Sequence, residues 1–123
     1  MSRKAYLIMP WDVQFHPDLA VEFDAMAEAV QVELLAQAGL LAQFGPTLGR
    51  PAVDTLKGSE VSNLKELRFS ANGGVWRVAF AFDGNRVAVL LVAGDKVGKR
   101  GGAERRFYDA LISLAEQRWA TWL

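Results

Sequence analysis

Residues 64–96 read LKELRFSANGGVWRVAFAFDGNRVAVLLVAGDK, and the alternation within this stretch decides the fold. Three apolar runs, 64–70, 75–83 and 86–96, are separated by Ala71-Asn72-Gly73-Gly74 and by Asp83-Gly84-Asn85. Asn, Asp and Gly tolerate the positive φ of tight hairpins, so the runs are expected to form an antiparallel meander. Successive side chains of a strand point to opposite faces. Trp76, Val78, Phe80 and Phe82 therefore share the core face of the second run, and Arg77, Ala79 and Ala81 take the other. Leu67 and Phe69 put Glu66 and Arg68 on that second face too, beside small alanines that leave room. The third run is apolar on both faces over 87–92, as expected of a central strand covered from both sides.

The charges on the second face have two readings. Arginine offers a planar donor fork that matches phosphate, so Arg68 and Arg77 on a partly open face would suit a phosphodiester. Alternatively, both pair with Glu66 across strands and add only modest stability.

Outward from the meander, Ala5–Met9 is a short apolar run expected to form a strand, which Pro10 ends by removing a ladder donor. His16-Pro17-Asp18 has the form of a helix start, with His16 as a capping or structural residue. Leu19, Phe23, Met26, Val30, Leu34, Leu41 and Phe44 recur near helical spacing. One helix over that span would be roughly 40 Å long, more than a compact domain of this size accommodates. A break near Met26–Glu28 and a helical hairpin are therefore expected, with Gly45-Pro46 as the stop. Residues 45–63, with two prolines and three glycines, form a long loop of the kind that often carries function. Residues 96–103 are a glycine- and cation-rich loop, and 104–123 an amphipathic helix with Phe107, Leu111, Ala115, Trp119 and Trp122 near one stripe.

A chain of 123 residues with 51% hydrophobic and 23% charged residues fits one globular domain, residues 1–123. The absence of cysteine excludes disulfides and thiolate chemistry, and a single histidine excludes a His-cluster metal site. The segment MSRKAYLIMPW is too short in its apolar part for a signal peptide or a membrane span, so a cytoplasmic protein without cofactor or metal is expected. The net charge of zero conceals an asymmetry. Residues 1–63 carry four Lys/Arg against eight Asp/Glu, or −4, and residues 64–123 carry ten against six, or +4. A basic face in the second half would attract polyanions.

The segments FHPD (15–18), GRPAVDTLKG (49–58), KELRF (65–69), WRVAFAFD (76–83), LLVAGDK (90–96) and RFYDALISLAE (106–116) resemble, in order, the RelE/ParE superfamily of type II toxin–antitoxin toxins, and most closely its phage-related HigB-like members. The resemblance implies an α+β fold: an N-terminal strand, a helical hairpin, an antiparallel sheet and a C-terminal helix. It also implies ribosome-dependent cleavage of mRNA by metal-free attack of the 2′-hydroxyl on the adjacent phosphate. The implied partners are the ribosome, mRNA and a HigA-like helix-turn-helix antitoxin, with which the toxin would assemble as a heterotetramer. Fold alone leaves two other functions open, a ParE-like gyrase inhibitor and a non-catalytic antitoxin-binding module.

Carried over residue by residue, the resemblance makes Arg77 the transition-state stabiliser, with Arg68 and Lys96 as phosphate ligands. Tyr108 matches a position used for proton donation or base stacking. Glu66 is a candidate base, or a residue that only orients Arg68, and Asp54 is the second candidate base. Lys65, Lys99, Arg100, Arg105 and Arg106 are candidate contacts to ribosomal RNA, where phosphate contacts dominate affinity. The run GDKVGKRGG (94–102) lacks the glycine spacing of a phosphate-binding P-loop.

Overall fold

The computed structural model of the protein describes residues 10–122. The strand expected at Ala5–Met9 lies outside the described residues. Within them the order is β1 (Asp12–Phe15), α1 (Pro17–Asp24), α2 (Glu28–Phe44), a short 3-10 turn (Gly45–Thr47), β2 (Val53–Thr55), β3 (Lys65–Ala71), β4 (Gly74–Phe82), β5 (Val87–Asp95) and α3 (Gly101–Trp122). The meander forms as its alternation predicts, and the first helical region breaks at Ala25–Ala27. His16 caps α1: its Nδ1 accepts the Asp18 amide at 3.0 Å, and Pro17 occupies the first turn.

The sheet order is β1-β5-β4-β3-β2. All neighbours are antiparallel except β1, which runs parallel to β5 with Asp12 opposite Val87 and Phe15 opposite Leu90. The sheet is thus mixed rather than wholly antiparallel. The strand β1, after Pro10, and the strand β2, inside the expected long loop, are additions to the expected elements.

One face of the sheet packs on α1 and α2, where Leu19, Val30, Leu34 and Leu41 meet Leu67, Val78, Phe80 and Leu90. The other face, expected to be partly open, is covered by α3: Leu111 and Ala115 pack on Ala79, Ala81, Val89 and Leu91. The alanines are small because a helix lies over them, not because they leave room for a ligand. Gly94 serves the same approach, since a Cβ there would sit 2.8 Å from the Phe107 ring.

Two clasps close the sandwich. The Trp11 ring fills the space above Gly45, whose φ of +56° and lack of Cβ permit the contact. The Arg86 guanidinium stacks 4.5 Å over Trp11 and donates to the Pro10 carbonyl. At the far end, the buried Arg118 of α3 donates to Glu22 of α1 at 2.8 and 2.6 Å and to the Leu91 carbonyl of β5 at 2.8 Å. Thr121 donates to the Arg118 carbonyl and is bonded in turn to His16 Nε2 at 2.7 Å.

Gly39 lies inside α2, and outside its own helix nothing among the described residues comes within 4 Å of the place its Cβ would occupy. Replacing an unconstrained mid-helix glycine by alanine removes backbone freedom from the unfolded chain. Gly39→Ala is expected to stabilise the protein by about 1 kcal/mol and raise Tm by about 4 °C, read by thermal circular dichroism.

Candidate active site

Strand register builds the site. Asp54, Glu66, Ala79 and Val92 form one row across β2, β3, β4 and β5, while Arg68, Arg77 and Gly94 form the row beside it. These residues share the face under α3, so a helix side chain can close the cluster, and Tyr108 does so. Arg68 and Arg77 stand directly opposite each other, an arrangement that is unfavourable without a counter-ion. Glu66 supplies it. Its Oε1 lies 3.6 Å from Arg77 Nε and its Oε2 lies 3.9 Å from Arg68 Nε.

Tyr108 links the two rows. Its hydroxyl donates to Glu66 Oε1 at 3.0 Å and accepts from Arg77 Nε at 3.2 Å, while Arg77 Nη1 donates to the Trp76 carbonyl at 2.9 Å. Arg77 and Glu66 are only 7% and 5% exposed, whereas the Arg68 side chain is 34% exposed. Arg68 Nε is buried and has no hydrogen-bond partner among the described residues. Asp54 belongs to the rim: it pairs with Arg50 at 3.1 Å and lies 3.9 Å from Arg68.

The cluster opens into a cleft of about 400 Å³ lined by Asp54, Glu66, Arg68 and Tyr108, with Arg50 and Lys57 at the rim. Arg77 stands behind Glu66 and Tyr108 rather than in the wall of the cleft. Burial pushes the Glu66 carboxyl above its ordinary range, although the Tyr108 hydrogen bond and both arginines pull it down. Burial likewise raises Tyr108, with Arg77 opposing. Asp54 goes the other way, held low by the Thr55 amide and then by Arg50. Of the two carboxylates expected as bases, only Glu66 is shifted toward holding a proton.

The sequence profile of the family described as phage derived protein Gp49-like matches residues 21–120. The chain belongs to this Gp49-like family. It is 40% identical over 107 residues to a toxin candidate of Mycobacterium tuberculosis, HigB3, covering 87% of this chain and 89% of that one. A second candidate from the same organism, HigB2, is 42% identical over 82 residues, 66% of this chain and 39% of its own. RelE of the Pyrococcus horikoshii RelE–RelB complex superposes with a TM-score of 0.56 at 18% identity, covering 74% of this chain and all of that one. A free arginine-to-alanine double variant of Escherichia coli toxin RelE superposes with a TM-score of 0.59 at 13% identity, covering 89% of this chain and 98% of that one. The Gp49-like chain is thus similar to HigB toxin candidates over most of its length and shares its fold with RelE.

The remaining candidates of this Gp49-like protein divide. Lys96 does not line the cleft: its Nζ pairs with Glu104 at 2.7 Å and sits 6.0 Å from the Tyr108 ring centre. That pairing holds Glu104 low and ties the end of β5 to the first turn of α3. Lys99, Arg100, Arg105 and Arg106 are exposed around the start of α3. Lys65, one residue out of phase with Glu66, lines a different cleft of about 560 Å³ with Phe82, Asn63 and Trp119, which contains no carboxylate. Arg50 and Lys57 join the candidate site without having been expected there. The signal for them is the strand hidden in 45–63: pairing of Asp54 opposite Glu66 brings both flanking cations to the same edge. Among the described residues no helix is long and apolar enough to cross a membrane.

Proposed function

We propose that this protein is the toxin of a toxin–antitoxin pair and cuts mRNA engaged with the ribosome. The observation that carries the reading is the hydrogen-bonded chain Arg77–Tyr108–Glu66, set beside Arg68 at the mouth of a cleft rimmed by Arg50 and Lys57. It is supported by the toxin names of the HigB relatives and by the fold shared with RelE.

In this reading the backbone phosphate lies against the partly exposed Arg68 guanidinium in the cleft wall, with Arg50 and Lys57 holding neighbouring phosphates. Glu66 takes the proton of the 2′-hydroxyl, whose oxygen attacks the adjacent phosphorus. Tyr108 gives its proton to the departing 5′-oxygen and recovers one from Glu66, leaving a 2′,3′-cyclic phosphate and a 5′-hydroxyl. Arg77 keeps Tyr108 and Glu66 in place and adds positive charge behind the developing phosphorane. Lys96 acts from outside the cleft by fixing the start of α3. The basic turn of Lys99, Arg100, Arg105 and Arg106 supplies contacts to ribosomal RNA. The antitoxin is a HigA-like protein, and both act in the cytoplasm.

Inducible expression tests this. Growth arrest is expected, with primer extension showing new 5′ ends inside translated messages. Arg77→Ala, with its fold checked by circular dichroism, is expected to lower cleavage about 10²-fold. Arrest with intact messages would overturn the reading, and an induced DNA-damage response would redirect it to gyrase.

A further inference from the structure

We infer that the outer face of α2 is a docking surface for a basic amphipathic helix of a partner protein. The helix is apolar on two opposite sides. Val30, Leu34, Ala38 and Leu41 form its buried stripe. On the far side Val32, Leu35, Leu40 and Phe44 are 61%, 53%, 38% and 45% exposed, with Ala36 and Gly39 between them. At helical spacing these six make one shallow track, with larger side chains flanking a low floor. A helix that is apolar all round belongs in an interior, and only half of α2 has one here. Gly39 adds an independent pointer: outside its own helix nothing among the described residues comes within 4 Å of its Cβ position, so their packing gives no reason for a glycine there. A low floor serves close approach from outside.

Charge selects the occupant. Between residues 10 and 49 the acids are Asp12, Asp18, Glu22, Asp24, Glu28 and Glu33, and there is no Lys or Arg. Asp18 and Glu22 face Arg118, but no salt bridge among the described residues engages Asp24, Glu28 or Glu33. These three sit at the end of α1 and along the first half of α2, beside the apolar track. Two copies meeting through this face would bring like charges together, which disfavours self-association. A helix with an apolar seam and Lys/Arg flanks satisfies both features. At 17 residues, α2 offers a track about 25 Å long, enough for roughly four turns of a partner helix. The surface lies across the sheet from Glu66 and Tyr108, so the inference stands apart from the RNA-cleavage reading.

The test uses two labelled synthetic helical peptides with the same leucine seam, one flanked by Lys and one by Glu, titrated against the full chain by fluorescence anisotropy. The Lys peptide is expected to bind about tenfold more tightly than the Glu peptide, the preference shrinking in high salt, as a few rim ion pairs would give. Gly39→Gln fills the floor with a helix-compatible side chain, and Glu28→Lys with Glu33→Lys reverses the rim. Each is expected to weaken the Lys peptide about tenfold, with the fold unchanged by circular dichroism. Arg77→Ala should bind like the parent. Equal binding of both peptides, no binding, or binding that survives Gly39→Gln would overturn the inference. So would a concentration-dependent dimer abolished by Gly39→Gln, which assigns the face to a second copy. Binding that appears only after deletion of residues 1–9 would assign the face to the chain's own leading segment.

Discussion

Glu66→Gln is expected to lower RNA cleavage about 10³-fold while making the protein more stable at pH 7. The two effects share one cause. The carboxyl is buried, and desolvation outweighs the help it gets from Tyr108, Arg77 and Arg68, so the folded protein holds its proton more tightly than the unfolded chain does. For a group raised in this way the stabilising contribution is complete below its ordinary value of 4.5 and is lost as the pH rises through the higher folded value. At pH 7 the ionised group is therefore a net cost to folding, and the neutral amide removes it. Melting curves of the two proteins should separate at neutral pH and converge below about pH 4. Cleavage has the opposite demand, because only the ionised form accepts the 2′-hydroxyl proton. The acid limb of the parent's pH–rate profile should report the Glu66 titration and move to higher pH in Arg77→Ala, where one of the cations favouring ionisation is gone. Equal loss of stability and activity in Glu66→Gln would mean that Glu66 is only the counter-ion of the arginine pair.

The meander and the grouping of Glu66, Arg68 and Arg77 were legible because period-two alternation is local: once Leu67 and Val78 point inward, their neighbours must point out. What covers that face is not local. The stripe Phe107, Leu111, Ala115 and Trp119 declares an apolar helix face, but not which side of the sheet receives it. Ala79, Ala81 and Gly94 are ambiguous for the same reason, since small residues suit both a ligand and a close-packed helix. Their placement under α3 turns Arg77 from an exposed phosphate ligand into a buried residue that holds Tyr108 and Glu66. The strand β2 was hidden because three residues framed by proline and glycine carry too little pattern to stand out, although it brings Asp54, Arg50 and Lys57 to the site. The strand β1 gave no signal because its four residues, between Pro10 and the helix start at His16-Pro17, carry too little pattern to stand out. Arg118 gave no signal, since an arginine in an amphipathic helix is usually solvated.

That arginine carries the second large effect. Arg118→Ala is expected to cost about 3 kcal/mol and lower Tm by about 10 °C. The side chain is 8% exposed and spans three elements, from α3 to the Leu91 carbonyl of β5 and to Glu22 and Asp18 around α1. Removal strips the Leu91 carbonyl of its side-chain donor and leaves a gap where the guanidinium stem packs, together about 2 kcal/mol. The bidentate pair with Glu22 adds about 1 kcal/mol more, less than for a fully buried pair because Glu22 is 45% exposed and water screens it. The pH dependence identifies the ion-pair part. The Arg118 hydrogen bond holds Glu22 below its ordinary 4.5, so its contribution is complete above that value and is lost as the pH falls through the lower folded value. The parent should therefore lose stability on acidification below about pH 4.5 more steeply than Arg118→Ala, so the gap between them narrows in acid. Arg118→Met, which keeps most of the stem, should recover the packing part but not the pH-dependent part. A constant gap from pH 7 to pH 3 would mean that the Glu22 pair contributes nothing and that Arg118 acts through packing and the Leu91 carbonyl alone.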